Sequence, residues 1–402
     1  MSDLVVRAYN VGFGDAVLVS VPELTEDGHE ETRHVLIDVG NLLAGDGNDD
    51  EVFTGVVREV ADRTGGTVDL YVMTHEHLDH VQGLLAAHRA GVGLAARHAW
   101  LTGSAHPDYY ATHPEAEKRR RVAALALEDA HRIVQAAPDP WLDMMVRNNS
   151  AGLPPGALGL RTSDYVDHLR DLAPRERTHY VDRTTDLQGK HPFTEATVRI
   201  LAPEEDTSTY YGRALDGPAL TAAGAAEAAS GGPATPALSV PPVGVEPGAF
   251  FDLQASRRTG TRRRIMEIDK ANNNTSIVFQ LEWRGWRLLF AGDAELKSWK
   301  RMHAHGLQPV HFVKISHHGS HNGTYDELFD ELMPAQSPDG RERHALVSTH
   351  DGDWDSVPDA EGTLALYSSR CLLHDTRSVA HGASLEVTFA GGPDVLGPSD
   401  RR

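Results

Sequence analysis

Cysteine is almost missing from this chain: Cys371 is the one thiol in 402 residues. An internal disulfide and any cysteine-based zinc site are thereby excluded, which fits a reducing compartment. Positive charge is also short, with 38 lysines and arginines against 58 aspartates and glutamates and a formal charge of −20. That balance opposes loose, sequence-independent binding to nucleic acid or anionic membrane, so a phosphate-bearing substrate has to be met by local groups. Bound divalent ions would supply that positive charge, and the acidity weighs against a histone-like binder more than against a metal-dependent nuclease. No run approaches the roughly 18 apolar residues of a membrane span, and MSDLVVRAYNVG lacks a basic stretch followed by an apolar one. The expectation is a cytoplasmic protein with no membrane segment.

Histidine, by contrast, is plentiful, and of the 23 three fall within Thr-His-Glu-His-Leu-Asp-His at 74–80. The preceding VDLYVM, 68–73, is short, apolar and rich in β-formers, and reads as a buried strand. An extended continuation would project His75, His77 and Asp79 to one side. His80 then opens a run with Val81, Leu84, Leu85 and His88 at helical spacing. Four ligands thus converge at the carboxyl end of a strand, where an open coordination position can face solvent. Imidazole suits zinc and other first-row metals, and a carboxylate can join a second ion to the first.

An apolar fraction of 40% with 24% charged residues is globular. LVVRAYNV, AVLVSV and RHVLIDVG read as strands, the third ending on Asp38; Gly12-x-Gly14 is no dinucleotide fingerprint, because a strand follows it. Helix is expected over about 51–63, from Pro114 with Val122, Leu125, Ala126, Ala130, Ile133 and Val134 on one face, and over 163–172. Ala, Gly and Pro dominate from about 204 to 249 without periodicity, which reads as a long loop. Arg257, Arg258 and Arg262 to Arg264 close it, as a solvated linker end or as a clamp for substrate phosphate. The strands SIVFQLEW and WRLLFAG then repeat the plan of the N-terminal half, ending on Asp293. Next come the strand VHFVKI, the tract Ser316-His317-His318-Gly319-Ser320-His321-Asn322, and a helix with the capping box Thr324-x-x-Glu327. Asp351-x-Asp353-x-Asp355 starts like a calcium loop, but Ser356 and Gly362 stand where glycine and glutamate belong, so an EF-hand is rejected. That loop is expected at the rim of the site.

In combination, NVGFGDAVLV…VLIDVG, the His75–His80 cassette, NNTSIVFQLEWRGWRLLFAGDAE and VKISHHGSHNGT resemble the metallo-β-lactamase superfamily. More narrowly, they resemble the branch that holds the hydrolase domain of the bacterial DNA-uptake competence channel. The resemblance implies an α/β fold, a four-layer αββα sandwich built as one domain over 1–402, interrupted by a helical insertion at about 104–190 and the Ala/Gly/Pro-rich insertion at about 204–265. It implies two divalent ions, zinc in the first place and manganese as the alternative. His75 and His77 would hold the first ion, Asp79 and His80 the second, and Asp293 would bridge them. His318 is preferred over His317 as the remaining ligand, which leaves His317 facing substrate and Asp79 orienting the attacking water. Asp38 would fix the tautomer of a ligand imidazole. Asn274, Ser316, Ser320 and Asn322 would line the site or touch substrate. The usual third histidine of the first ion has no equivalent, since His98, His106 and His113 lack the pattern around them.

Two ions held close together lower the pKa of a bridging water and stabilise charge developing on a phosphoryl or acyl oxygen. The leading expectation is a phosphodiesterase or nuclease acting on a nucleic acid or nucleotide. An acyl hydrolase acting on a lactone, thioester or β-lactam is the alternative. From another class comes a partner-binding component that docks through the 204–265 insertion.

Overall fold

The computed structural model describes residues 1–25, 27–43, 50–153, 163–211, 247–337, 339–351 and 357–391, with 50 and 247–258 given by backbone alone. Among the described residues thirteen strands form two mixed sheets, and together with the helices they make an α/β fold. The first sheet contains β1 Leu4–Tyr9, β2 Ala16–Leu24, β3 Glu30–Val39, β4 Thr67–Met73, β5 Ala95–Thr102 and β6 Thr178–Val181. Its far edge is the last strand, β13 Ser384–Phe389, in the order β13-β1-β2-β3-β4-β5-β6. The second sheet contains β7 Thr197–Ala202, β8 Val278–Trp283, β9 Trp286–Phe290, β10 Phe312–Lys314, β11 His344–Val347 and β12 Leu372–Asp375, in the order β12-β11-β10-β9-β8-β7.

Each sheet begins with antiparallel pairing and continues with parallel crossovers: β3–β4–β5–β6 in one, β9–β10–β11–β12 in the other. The parallel strands carry long apolar runs because they are covered on both sides. Val6, Leu70 and Trp100 of the first sheet share a core with Phe279, Phe290 and Phe312 of the second. Phe53, Val81 and Leu169 cover the other face of the first sheet, while Trp299, Leu328 and Tyr367 cover that of the second. The carboxyl ends of β3, β4, β9 and β10 therefore open side by side, the usual place for a site in such sheets.

Four expectations change here. The helix after the cassette runs Leu78–Arg89, so Asp79 lies in its first turn and not in extended chain; the carbonyl of His77 already accepts from the amides of His80 and Val81. His88 is exposed at its far end. In the Pro114–Ala136 helix, Leu125 faces solvent while Ala116, Val122, Ala126 and Ala130 are buried. The helix after the His-His tract is Asp326–Leu332, preceded by Tyr325 with no side-chain cap, so the expected box at Thr324 is not formed.

The largest change lies in the second insertion. Residues 212–246 fall outside the described ones, but Pro247–Asn273 is one helix and not a linker end. Ile265 and Ile268, three residues apart, bury against Val122, Leu127 and Leu142 of the first insertion, which is the contact a helical period produces. Arg262 is spent on Asp139, donating from Nη2 at 2.8 Å and Nε at 3.2 Å, and so is no phosphate clamp. Of the expected calcium-like loop, residues 352–356 also fall outside the described ones.

Candidate metal centre

Met73 ends β4, and the chain then delivers Thr74, His75 and His77 before the Leu78–Arg89 helix starts. For the helix to begin here its first turn must lie against the loops after β1 and β3. Gly14 and Gly40 make the approach possible: a Cβ on Gly40 would stand 2.3 Å from the carbonyl carbon of Asp79, and one on Gly14 2.6 Å from its oxygen. The amide of Asp15 donates to that same oxygen at 3.2 Å. On the second sheet, β9 leads through Gly292 to Asp293, and β10 leads to His317 and His318, both with positive φ near 50°. Backbone held in that region by non-glycine residues clusters at functional sites, and Asp38, at φ 51°, shares it.

The result is a cluster in which Asp79, His80, Asp293 and His318 are 2%, 0%, 1% and 0% exposed and offer one ligand atom each, all within 4.8 Å of one another. A second group, His75, His77 and Asp79, meets the same criterion, and Asp79 belongs to both. The rings of His75 and His80 are 4.2 Å apart, and those of His80 and His318 5.6 Å.

Hydrogen bonds outside the cluster fix which nitrogen of each histidine looks inward. His80 Nδ1 donates to Asp38 Oδ2 at 2.8 Å, so Nε2 carries the lone pair. His318 Nδ1 donates to the Ser348 carbonyl at 2.9 Å, again leaving Nε2. Thr74 Oγ1 gives its proton to Asp38 Oδ2 at 2.6 Å and accepts from His75 Nδ1 at 3.1 Å, which leaves His75 Nε2. His77 is reversed. Its Nε2 donates to Asn149 Oδ1 at 2.9 Å, and Asn149 is held in that orientation because its amide group donates to Met145 O and Asp269 Oδ1, each at 2.9 Å. Nδ1 is then the free nitrogen of His77.

Five of the buried atoms in this cluster, His75 Nε2, Asp79 Oδ1, His80 Nε2, Asp293 Oδ1 and His318 Nε2, form no well-aligned hydrogen bond among the described residues, although His80 Nε2 and His318 Nε2 lie 3.2 and 3.1 Å from Asp293 Oδ2. Buried polar atoms are rarely left so, and each costs about 1–3 kcal/mol unless a partner satisfies it. Cations held by the two groups would satisfy these atoms, and the donor set of imidazole nitrogens and carboxylate oxygens fits a first-row divalent metal. These groups can hold a metal ion.

Charge balance points the same way. Asp15, Asp38, Asp79 and Asp293 are four buried carboxylates, and Lys314 is the buried lysine among them, paired with Asp15 and 3.6 Å from Asp293 Oδ1. Burial alone would lower the pKa of Lys314, but Asp15 and Asp293 raise it instead. Burial likewise opposes charge on His318 and His80, yet Asp293 and its neighbours push His318 up to about 10 and hold His80 well above the ordinary imidazole range. Asp293 in turn, despite burial, lies well below the usual carboxylate range because His318, His80 and Lys314 face it. Protons and a metal therefore compete for the same Nε2 atoms.

The remaining expected residues divide in two. His317 lines the cleft, its Nδ1 donating to Asn322 Oδ1 at 3.1 Å, and Ser320 Oγ donates to the same oxygen at 2.6 Å. Ser316 Oγ donates to the Ala294 carbonyl at 2.6 Å, and Asn274, which also lines the cleft, accepts through Oδ1 from the Ser298 amide at 2.8 Å. His98, His106 and His113 lie against His179, Tyr180 and Tyr109, away from the cluster. Asn149 meets the nitrogen of His77 that faces away from the cluster. Sequence reasoning missed Asp15, Thr74, Asn149, Lys314 and Glu295. A signal existed for Lys314, a lysine in the otherwise apolar strand HFVKI in a chain with only 6 lysines.

Above the cluster opens a cleft of about 620 Å³ with His77, Asp79 and Asp293 at its base. No described helix is long and apolar enough to cross a membrane. No family model matches the chain, and no curated protein matches it either.

Proposed function

We propose that the protein is a metal-dependent hydrolase of phosphodiester bonds, a phosphodiesterase or nuclease, and a member of the metallo-β-lactamase superfamily with its four-layer αββα sandwich. The observation that carries the chemistry is the pair of buried His/Asp groups, His75, His77 and Asp79 beside Asp79, His80, Asp293 and His318, whose inward atoms include five without a hydrogen bond and which reach the cleft at His77, Asp79 and Asp293. Two divalent ions, zinc or manganese, held by His75, His77, Asp79, His80, Asp293 and His318 would supply Lewis acidity and a hydroxide nucleophile at neutral pH.

The chain's own residues do the rest. Asp38, Thr74, Asn149 and the Ser348 carbonyl hold the four imidazoles in one tautomer each, so that their lone pairs need no rearrangement. Lys314 places a fixed positive charge behind Asp293 and keeps it ionised. His317, tethered through Nδ1 to Asn322 and with Nε2 3.4 Å from Asn273 Nδ2, stands on the cleft wall, where Nε2 would take the proton that the attacking water gives up and hand it to the departing oxygen. The resemblance of the VKISHHGS tract to the competence-channel branch supports phosphodiesters over acyl esters.

The test is a panel of phosphodiesters beside acyl esters, run on protein reconstituted separately with zinc and with manganese. Turnover of phosphodiesters that falls at least roughly 1000-fold in Asp293→Ala is expected. Metal-loaded protein that ignores every phosphodiester, or an Asp293→Ala variant as active as the parent, would sink the proposal.

A further inference from the structure

The cleft has two unlike halves. Its base is the polar cluster, while one wall is apolar, formed by Trp141, Met144 and Met145 on the Pro140–Asn148 helix and Met266 on the Pro247–Asn273 helix. The two helices come from different insertions and are stapled to each other. Arg262 bonds Asp139, the residue capping the first helix, and lies 5.2 Å over the Trp141 ring. Asn272 Nδ2 and Asp269 Oδ1 both bond Asn149, at 2.8 and 2.9 Å. This wall is therefore built in advance of any ligand, and methionine side chains let it adapt to different apolar shapes.

Electrostatics exclude the obvious long occupant. Among the described lining residues, the lysines are Lys270 and Lys297, against the acids Asp79, Glu267, Asp269, Asp293 and Glu295. Lys270 lies 3.5 Å from Glu267, and Lys297 donates to the Tyr210 carbonyl, so the two lysines are outnumbered by the acids beside them. A bound metal would offset the charge at the base and leave the walls acidic. Polymers of nucleotides are held by basic grooves that track their backbone, and the described residues of this cleft form none in a chain of net charge −20.

Building on the proposed phosphodiesterase activity, we infer that the substrate is a small phosphodiester carrying one aromatic or branched apolar group, which seats on the Trp141–Met144–Met145–Met266 wall while a single phosphate meets the base of the cleft. A volume of about 620 Å³ lies in the range of sites that hold a molecule of that size. Trp141 and the methionines are specificity-determining residues in this reading, and they act on binding more than on the chemical step.

The experiment uses a series of p-nitrophenyl phosphate diesters whose second group grows from methyl to butyl to phenyl, beside a short oligothymidylate with a terminal reporter. Wild-type protein reconstituted with zinc or manganese is compared with Met266→Ser, chosen because Met266 is already 44% exposed and its loss leaves the core intact. Across the series kcat/KM should climb by roughly tenfold or more, with the change in KM, and the climb should flatten in Met266→Ser. Binding of a non-hydrolysable phenyl phosphonate, read by calorimetry, should weaken in the variant by a similar factor. A higher kcat/KM on the oligothymidylate than on the phenyl diester, or a flat series in the wild type, overturns the inference. Should no phosphodiester turn over while acyl esters do, the proposed function fails by itself; phosphonate affinity that still depends on Met266 would then keep the apolar wall as a binding surface, and affinity that ignores Met266 would remove it.

Discussion

Asp38 shows how one residue can serve a metal without touching it. Its carboxylate accepts from the Thr74 amide at 2.8 Å, from the Thr74 hydroxyl and from His80 Nδ1, while burial raises its pKa against those three donors. Because the residue sits at φ 51°, which asparagine also tolerates, Asp38→Asn removes the charge without straining the backbone. Zinc affinity measured by chelator competition should fall about 10- to 100-fold, the usual cost of losing an acceptor behind a ligand histidine. A change under twofold would show that His80 is oriented by packing alone. Cys371 makes a contrasting residue-scale case. Burial pushes its thiol up to about 11, and its Sγ lies 3.1 Å from the Tyr367 carbonyl. At pH 8 about one molecule in a thousand then carries thiolate, so labelling by a disulfide reagent should be roughly a hundredfold slower than for a free thiol, and should recover on unfolding. Labelling of the folded protein at the free-thiol rate would refute the burial argument.

At the scale of elements, the site depends on a helix start pressed into two glycine turns. Gly40 has no positive φ, so its role is steric: an added Cβ would meet Asp79 C at 2.3 Å and His80 N at 2.4 Å, both of them backbone. Gly40→Ala must therefore move the helix that carries Asp79 and His80. Overpacking of this kind costs about 1–3 kcal/mol. Urea melts should show that loss in the metal-free protein and a larger one with zinc, since the displaced helix also binds metal less well. Equal losses with and without zinc would mean that the cluster rides along undisturbed.

The same elements show what could be read in the sequence. Strand periods, Asp38 near the end of β3, Asp293 just beyond β9 and the histidines of the cassette and the 317–318 pair are local signals, and the fold brings His75, His77, His80, Asp293 and His318 into two buried groups. Asn149 and the Pro247–Asn273 helix were hidden because their meaning is tertiary. An asparagine facing His77 across 72 residues leaves no spacing to notice, and a helix whose exposed face is a run of arginines looks like a linker until Ile265 and Ile268 find their partners. Ser316 is a different case, since its hydroxyl beside two histidines is turned onto the Ala294 carbonyl, a partner that no local pattern shows.

For the molecule as a whole, the distribution of histidines sets how stability responds to pH. Nine described histidines, among them His34, His168, His311 and His344, are held below the ordinary value of 6.5, in each case first by burial. Where pH lies between their folded and unfolded values, the unfolded chain binds protons that the folded one refuses, so stability rises with pH and falls on acidification through 6.5. Asp38, Glu76 and Glu295 act in the opposite sense, being raised by burial, but they are three against nine. His80 and His318 behave differently, because their folded values lie above 6.5, about 10 for His318. Their contribution is complete below 6.5 and disappears as pH rises through those folded values. The metal-free protein should thus be most stable near pH 6.5 to 7 and lose stability on both sides, as read by urea midpoints from pH 5 to 9. Zinc takes the place of the protons on His80 and His318, so it should flatten the alkaline limb and steepen the acid one, where ligands must shed protons to bind it. A metal-free protein that gains stability from pH 7 to 9, or an alkaline limb that zinc leaves unchanged, would show that the buried histidines and carboxylates are not competing for protons and metal in the way the geometry requires.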